Sequence, residues 1–328
     1  MIKPIDMKQV AIVVTQHYKL LSIAAIMEVF EAVNRLYQER GEEPPFLLRL
    51  VGQIACNPTT AEFHGYKVDP ISESGKSDLV MVPSFNSHDI RQSLALNSQL
   101  LPWLREQYKD GAELACFCTG AFLMAATGLL DGRLATTHVD AGASFSQHFP
   151  QVKLRLDKTV TADHRLYTSG GATSTFHLLL HLINRHCGRE VAVKIAKIFA
   201  IDMDRHHQSY FGSFEPVHNH TDELVATAQQ KIETNYQEAG TIEELIRDIP
   251  SSRRNIVRRF KQVTGVTPIE YLQNIRVEAA KRLLEQTSQQ MSEVVFNAGY
   301  NDAKAFRKVF RKAVGMTPSE YRLKFQVR

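Results

Sequence analysis

Two groups of residues in this 328-residue chain have the types and spacing to do chemistry, and the first is a thiol. In Leu114-Ala115-Cys116-Phe117-Cys118-Thr119-Gly120-Ala121-Phe122, an apolar run suited to a buried strand passes without a gap into a helical pattern, with Cys118 at the turn. Held at a helix N-terminus, such a thiol is exposed to backbone amides and a dipole that lower its pKa and favour an anion. Hydrolases place a nucleophile at a turn of this kind. Acyl transfer, however, also needs a base and donors for the oxyanion. The residue after Cys118 is Thr119, which cannot serve as that base. His138, following Thr136-Thr137, suits either the mouth of an elbow pocket or a hydrogen-bonded structural position.

The second group is cationic and periodic. Over a helix expected at 253–263, Arg254, Asn255, Arg258 and Lys261 fall on the face opposite Ile256, Phe260 and Val263, with Arg253 in the first turn. Further on, Asn301-Asp302 caps a helix to about Ala313; Lys304, Lys308 and Arg311 face out with Arg307 flanking, and Phe306, Phe310 and Ala313 face in. A basic helix face is often only solvated. Here charge segregates along the chain: residues 251–328 hold 16 Lys and Arg against 6 Asp and Glu, residues 221–250 hold 2 against 7, and residues 1–220 hold 21 against 22. The net +4 therefore conceals a module of net +10, which suits a polyphosphate.

These faces need a scaffold, and the sequence writes one twice. Phe260-Lys261, Gly265-Val266-Thr267-Pro268 and Glu270-Tyr271 return in phase 50 residues later as Phe310-Arg311, Gly315-Met316-Thr317-Pro318 and Glu320-Tyr321, the mark of a duplicated unit. Each copy reads as a helix-turn-helix. In the first, Thr241 with Glu244 forms a capping-box pattern, and Pro250-Ser251-Ser252 breaks one helix and caps the next. In the second, Met291 to Ala298 precedes a turn at Gly299, where the first copy has Ile249-Pro250. Pro268 to Gln286 joins the copies as one long helix.

The thiol needs a different scaffold. Apolar runs at 10–14, 46–51, 79–82 and 113–117 alternate with amphipathic helices at 22–37, 89–108, 118–127 and 173–186, which predicts an open, flavodoxin-like parallel sheet with helices on both faces. The chain is long enough for two cores. The expected division is an α/β domain over 1–211, a linker over 212–222 and an all-α tandem helix-turn-helix domain over 223–328.

Residues 223–328 resemble the DNA-binding domain of the AraC/XylS family of transcription regulators. Arg258-Arg259-Phe260-Lys261 with Gly265-Val266-Thr267-Pro268, and Ala298-Gly299-Tyr300-Asn301-Asp302 with Phe306, Phe310-Arg311 and Gly315-Met316-Thr317-Pro318, carry the resemblance. It implies two recognition helices in successive major grooves of promoter DNA, with Arg253, Arg254, Asn255, Arg258, Lys261, Asp302, Lys304, Arg307, Lys308 and Arg311 at the interface.

Residues 8–200 resemble the amino-terminal domain of the GlxA-type branch, which is similar to class I glutamine amidotransferases and PfpI-type proteases. Cys118-Thr119-Gly120-Ala121, Gly128-Leu129-Leu130-Asp131-Gly132-Arg133, Ala135-Thr136-Thr137-His138 and Ser169-Gly170-Gly171 carry that resemblance. Two departures argue against hydrolysis: Thr119 stands where PfpI-type enzymes have His, and Pro83-Ser84-Phe85 replaces a glycine pair. The implied protein is a non-catalytic sensor, homodimeric, that binds a small effector over Phe85, Cys118, Thr119, Gly120 and His138 and acts on double-stranded DNA, with RNA polymerase as a further candidate partner. Gly120→Leu is expected to block the effector and leave the domain folded.

No cofactor motif and no metal set emerges. His177 and His181 share a helix face without a third ligand, and cysteines 56, 116, 118 and 187 fit neither a disulfide framework nor a zinc site. No apolar run reaches membrane-spanning length and no signal segment opens the chain, so the expected location is the cytoplasm. Two alternatives stay open. One is a cysteine hydrolase or amidase with an appended DNA-binding module, which needs a base such as His138 at Cys118; the other is a constitutive DNA-binding protein whose α/β domain only dimerises, with the elbow filled by Phe85 or Phe122.

Overall fold

A computed structural model describes residues 7–53, 62–63, 65–86, 89–218, 220–238 and 241–327. Cys56, counted above, and Asn219, in the expected linker, lie outside them. The chain divides into two compact units, Met1–Gln208 and Ser209–Arg328.

In chain order the first unit contains β1 (Lys8–Val14), α1 (Leu20–Gln38), β2 (Phe46–Gly52), β3 (Glu62–Phe63), β4 (Tyr66–Pro70), β5 (Leu79–Val82), α2 (Ile90–Leu96), α3 (Leu100–Lys109) and β6 (Glu113–Phe117). It continues with α4 (Gly120–Ala126), β7 (Leu134–Ala135), α5 (Gly142–His148), β8 (Lys153–Leu154), β9 (Val160–Asp163), β10 (Leu166–Ser169), α6 (Ser174–Cys187) and α7 (Arg189–Ile198). The sheet order is β3-β4-β2-β1-β5-β6-β10-β9, parallel from β4 to β10 with an antiparallel strand at each edge.

Alternate residues of the central strands fill opposite cores, which is why these strands read as continuous apolar runs. Val10, Ile12, Leu79, Met81, Ala115 and Phe117 pack with α1, α6 and α7, whereas Ala11, Val13, Val80, Val82, Leu114 and Cys116 pack with α2, α3 and α4. The helix expected over 89–108 is two helices. Asn97 separates them, its side chain donating to the Ser93 carbonyl at 2.9 Å and accepting the Gln16 amide at 2.8 Å, so a local polar competitor ends α2.

The second unit comprises α8 (Glu223–Asn235), α9 (Ile242–Ile246), α10 (Arg253–Thr264), α11 (Pro268–Gln286), α12 (Met291–Asn297), α13 (Ala303–Val314) and α14 (Pro318–Phe325). The duplication is visible in its caps: Thr241 with Glu244, Thr267 with Glu270 and Thr317 with Glu320 all close capping boxes. It is visible also in two buried tyrosines. Tyr271 Oη donates to Glu233 at the end of the first copy, and Tyr321 Oη donates to Glu285 at 2.5 Å at the end of the second.

Residues 212–218 pack within the second unit. Phe214 meets Tyr271 edge-on at 5.2 Å, Lys281 Nζ donates to the Gly212 carbonyl at 2.5 Å, and Gln229 Nε2 donates to the Val217 carbonyl at 3.0 Å. Tyr210, just before it, packs on the core of the second helix-turn-helix.

Candidate nucleic-acid interface and elbow site

α10 and α13 bury one stripe and present the other. The inward residues are Ile256, Phe260 and Thr264 on α10, and Phe306, Phe310 and Val314 on α13, with Val263 and Val309 half-buried. Ala313, expected inward, is exposed, because the packing of α14 through Tyr321 draws Val314 into the core instead. Gly265 and Gly315 end the two helices in the left-handed conformation at φ +80° and +85°. The two turns differ as the sequence suggests: Gly299 has φ +84°, while buried Ile249 donates its amide to the Ile246 carbonyl at 3.1 Å and its carbonyl accepts the Ser251 amide at 2.7 Å.

The ten candidate interface residues divide by what already holds them. Arg253 pairs with Glu243. Asn255 donates to Ser251 Oγ at 2.9 Å and accepts from Arg258 Nη2 at 3.0 Å. Asp302 is the N-cap of α13, accepting the Lys304 amide at 2.8 Å, so its carboxylate serves the helix. Arg254 and Lys261 on α10, and Lys304, Arg307, Lys308 and Arg311 on α13, are exposed. Arg259, absent from the sequence-based set, clamps α10 to the start of α8 through Asp222 at 2.8 and 2.9 Å.

At the other site, the structure brings Phe85, Cys118, Thr119 and Gly120 together, all buried. Cys118 has φ +53°, a strained conformation for a residue with a side chain. Its amide donates to the Ser169 carbonyl at 3.1 Å and its carbonyl accepts from Thr137 Oγ1 at 3.0 Å. Thr119 Oγ1 donates to the Phe85 carbonyl at 2.6 Å and accepts the Phe85 amide at 3.0 Å, which closes the loop after β5 onto the elbow. Phe85 in turn pairs with Tyr18 in the loop after β1. Gly120 is where α4 touches β5: a Cβ there would run into the Val82 carbonyl and stand 2.8 Å from that of Pro83.

The sequence suggests a thiol activated by the helix N-terminus. In the structure burial dominates and pushes the Cys118 thiol up, with Lys19 and the Thr119 amide and hydroxyl opposing it and Asp140 adding to the rise. No histidine is among those groups. His138 is half-buried, its Nδ1 accepting the Asp140 amide at 3.3 Å and its ring against Gly171. His177, on the other histidine pair, bonds the carbonyls of Thr173 and Asp202 at 3.3 and 2.9 Å, and its partner His181 lies 5.6 Å from the Tyr167 ring.

Sequence reasoning missed Gln208. This buried side chain accepts the Gly171 amide at 3.0 Å and donates to Thr136 Oγ1 and the Thr137 carbonyl at 3.1 and 3.0 Å, tying the segments just after β7 and β10 to the last residue of the first unit. The signal is in Ser169-Gly170-Gly171, since a Cβ on Gly170 would collide with Gln208 Oε1.

Comparison with known proteins matches residues 246–324 to a helix-turn-helix domain family and residues 61–185 to the DJ-1/PfpI family. The HTH-type transcriptional regulator GbdR of Pseudomonas aeruginosa is 30% identical over 228 residues, 67% of this chain and 60% of GbdR. ArgR, an HTH-type transcriptional regulator of the same species, is 25% identical over 316 residues, 93% of this chain and 89% of ArgR. GlxA of Rhizobium meliloti is 24% identical over 227 residues, 67% of this chain and 68% of GlxA. The chain thus spans 60% of the length of the first of these relatives.

Proposed function

Since the chain belongs to the AraC-type regulators that carry a DJ-1/PfpI domain, with GlxA and GbdR among its relatives, we propose that it is a sequence-specific DNA-binding transcription regulator controlled by a small metabolite. The observation that carries the reading is the pairing of α10 and α13. Two copies of one helix each bury a stripe centred on a phenylalanine, Phe260 or Phe310, and turn exposed Arg and Lys outward, the arrangement a helix-turn-helix uses in the major groove. Full-length protein should enrich specific duplexes from a random-sequence pool, and the affinity should fall steeply with salt as condensed counterions are displaced. Affinity that stays flat between low and physiological salt would sink the reading.

The proposed effector site lies beside half-buried His138 and Gly171 and exposed Asp140, next to the closed elbow of Phe85, Cys118, Thr119 and Gly120. A sensing rather than hydrolytic role is supported by a thiol that burial holds neutral and by a Thr119 already engaged with Phe85. The working unit is taken to be a cytoplasmic homodimer, with RNA polymerase as a partner at the promoter. One observation favours a second reading, in which the first unit only dimerises: Phe85, Cys118 and Thr119 are packed shut. A thermal-shift screen of metabolites on the full chain separates the two, because a ligand that binds the native state raises its melting temperature.

A further inference from the structure

The second unit holds two separate cores, and α11 runs through both: Tyr271 and Leu272 belong to the first, Val277, Ala280 and Leu284 to the second. One helix alone would leave the angle between α10 and α13 to whatever packs across the seam. Arg276 sits on that seam, only 8% exposed. Its Nε donates to the Tyr236 carbonyl at 2.9 Å, at the end of α8 in the first half, and its guanidinium lies 5.3 Å from the centre of the Tyr300 ring, in the turn of the second half.

The opposite side of the junction is cut to fit. Gly299 has φ +84°, and a Cβ there would collide with the Tyr236 carbonyl and stand 2.9 Å from Arg276 Nε. Gln237 Nε2 adds a bond to the Asn297 carbonyl at 2.9 Å. Burying a guanidinium is costly, and burial here pulls its pKa down. An apolar side chain would fill this space more cheaply, but it could not hold a carbonyl of one half and a ring of the other at once.

We infer that Arg276 is a positioning residue for DNA recognition: it braces the two helix-turn-helix halves against each other and so fixes the half-site spacing the protein accepts. The inference rests on the DNA-binding reading. Arg276 is too deeply buried to contact phosphate itself. One inserted base pair moves a half-site by about 3.4 Å and turns it by about 35°, so a braced pair of helices loses one set of base contacts where an unbraced pair re-aims.

The test uses the full chain and a duplex enriched from a random-sequence pool, remade with one base pair inserted or removed between its half-sites. Wild type should lose about tenfold in affinity per step, equivalent to one or two lost base contacts. Arg276→Met should lose less than about threefold per step while keeping its affinity for a single half-site. Circular dichroism checks the fold. If Arg276→Met does not fold, Gln237→Ala, which removes only the solvent-exposed bond to Asn297, is read instead and should flatten the profile in part. A profile as steep in the variant as in wild type, with all duplexes weakened alike, overturns the inference, as does a wild type indifferent to spacing. Enrichment of no duplex at all would instead overturn the DNA-binding reading on which it stands.

Discussion

Thr119 and Phe85 hold each other twice: the threonine hydroxyl donates to the phenylalanine carbonyl at 2.6 Å and accepts its amide at 3.0 Å. By the resemblance, Thr119 stands where PfpI-type enzymes have His, and Phe85 lies in the Pro83-Ser84-Phe85 stretch that replaces their glycine pair. Thr119→Val preserves shape but strands a buried amide and a buried carbonyl, which costs about 1 to 3 kcal/mol. The expected result is a lower melting temperature for the first unit, followed by differential scanning calorimetry, with DNA binding of the folded protein unchanged. A variant as stable as wild type would show that the clasp contributes little.

The buried thiol gives a pH prediction. Burial raises the Cys118 pKa, so the folded protein keeps the proton as pH climbs through the ordinary thiol range, and thiolate appears only above it. Alkylation of Cys118 by iodoacetamide, followed by mass spectrometry of the native protein, should be slow at pH 7 and accelerate above the usual thiol pKa. Cys187, pushed up to about 11, should behave alike. Fast labelling of Cys118 at pH 6 would mean an activated thiolate and would favour the hydrolase alternative.

Gly120→Leu is no longer the substitution that tests the effector site. The Val82 and Pro83 carbonyls occupy the space its side chain needs, so this variant is expected to misfold, seen as loss of soluble protein or of the near-ultraviolet dichroism signal. His138→Ala is the suitable substitution. The residue is half-buried, so the variant should fold normally, while abolishing the shift in melting temperature produced by any metabolite found in the screen.

What was legible in the sequence follows from how local each cause is. The helices of the second unit announce themselves because Thr267 with Glu270, and Thr317 with Glu320, satisfy helix ends within four residues. Strands at 79–82 and 113–117 are legible because both faces are buried. By contrast β10 carries Thr168 and Ser169 inward, where Thr168 Oγ1 accepts the Thr136 amide at 2.7 Å and lies 2.7 Å from Thr161 Oγ1, so no apolar run marks it. Segment 212–222 has linker composition, yet Phe214 and Lys281 bind it to the second unit through partners more than 50 residues away. The elbow shows in its strand-to-helix join; that burial outweighs the helix dipole at Cys118 depends on packing that no local pattern carries.

Glu113 braces the first unit at the start of β6, beside His186 at 3.5 Å and Arg185 at 3.4 Å. Burial alone would push its carboxyl up, but His186, Tyr167 and Arg185 outweigh that and bring it down to about 2. A carboxyl whose folded pKa lies below its unfolded value adds stability above the unfolded pKa, and that stability is lost as pH falls toward the folded one. Thermal stability should therefore decline between the ordinary carboxylate range and about 2, and Glu113→Gln should be less stable at pH 7 with a shallower acid decline. An acid profile identical to wild type would show the ion cluster to be neutral in stability.

The recognition helices should separate into residues that specify and residues that attract. Arg254 and Lys304 are exposed in the first turns of α10 and α13, the part of a recognition helix that meets base edges. Arg254→Ala or Lys304→Ala should cost about 1 to 3 kcal/mol on the preferred duplex and relax sequence preference at one local position. Arg258, Lys308 and Arg311 stand further along and are proposed to serve phosphate, so alanine there should weaken all sequences alike and lower the salt slope by about one unit each. The loss should be larger on α13, because no side-chain hydrogen bond or ion pair holds Lys308 or Arg311 among the described residues, whereas the Arg258 side chain already donates to Asn255. Binding to specific and random duplexes across a salt series measures both quantities at once. If Lys304→Ala weakened random and specific duplexes equally, α13 would be holding the backbone there and base reading would have to come from elsewhere on the helix.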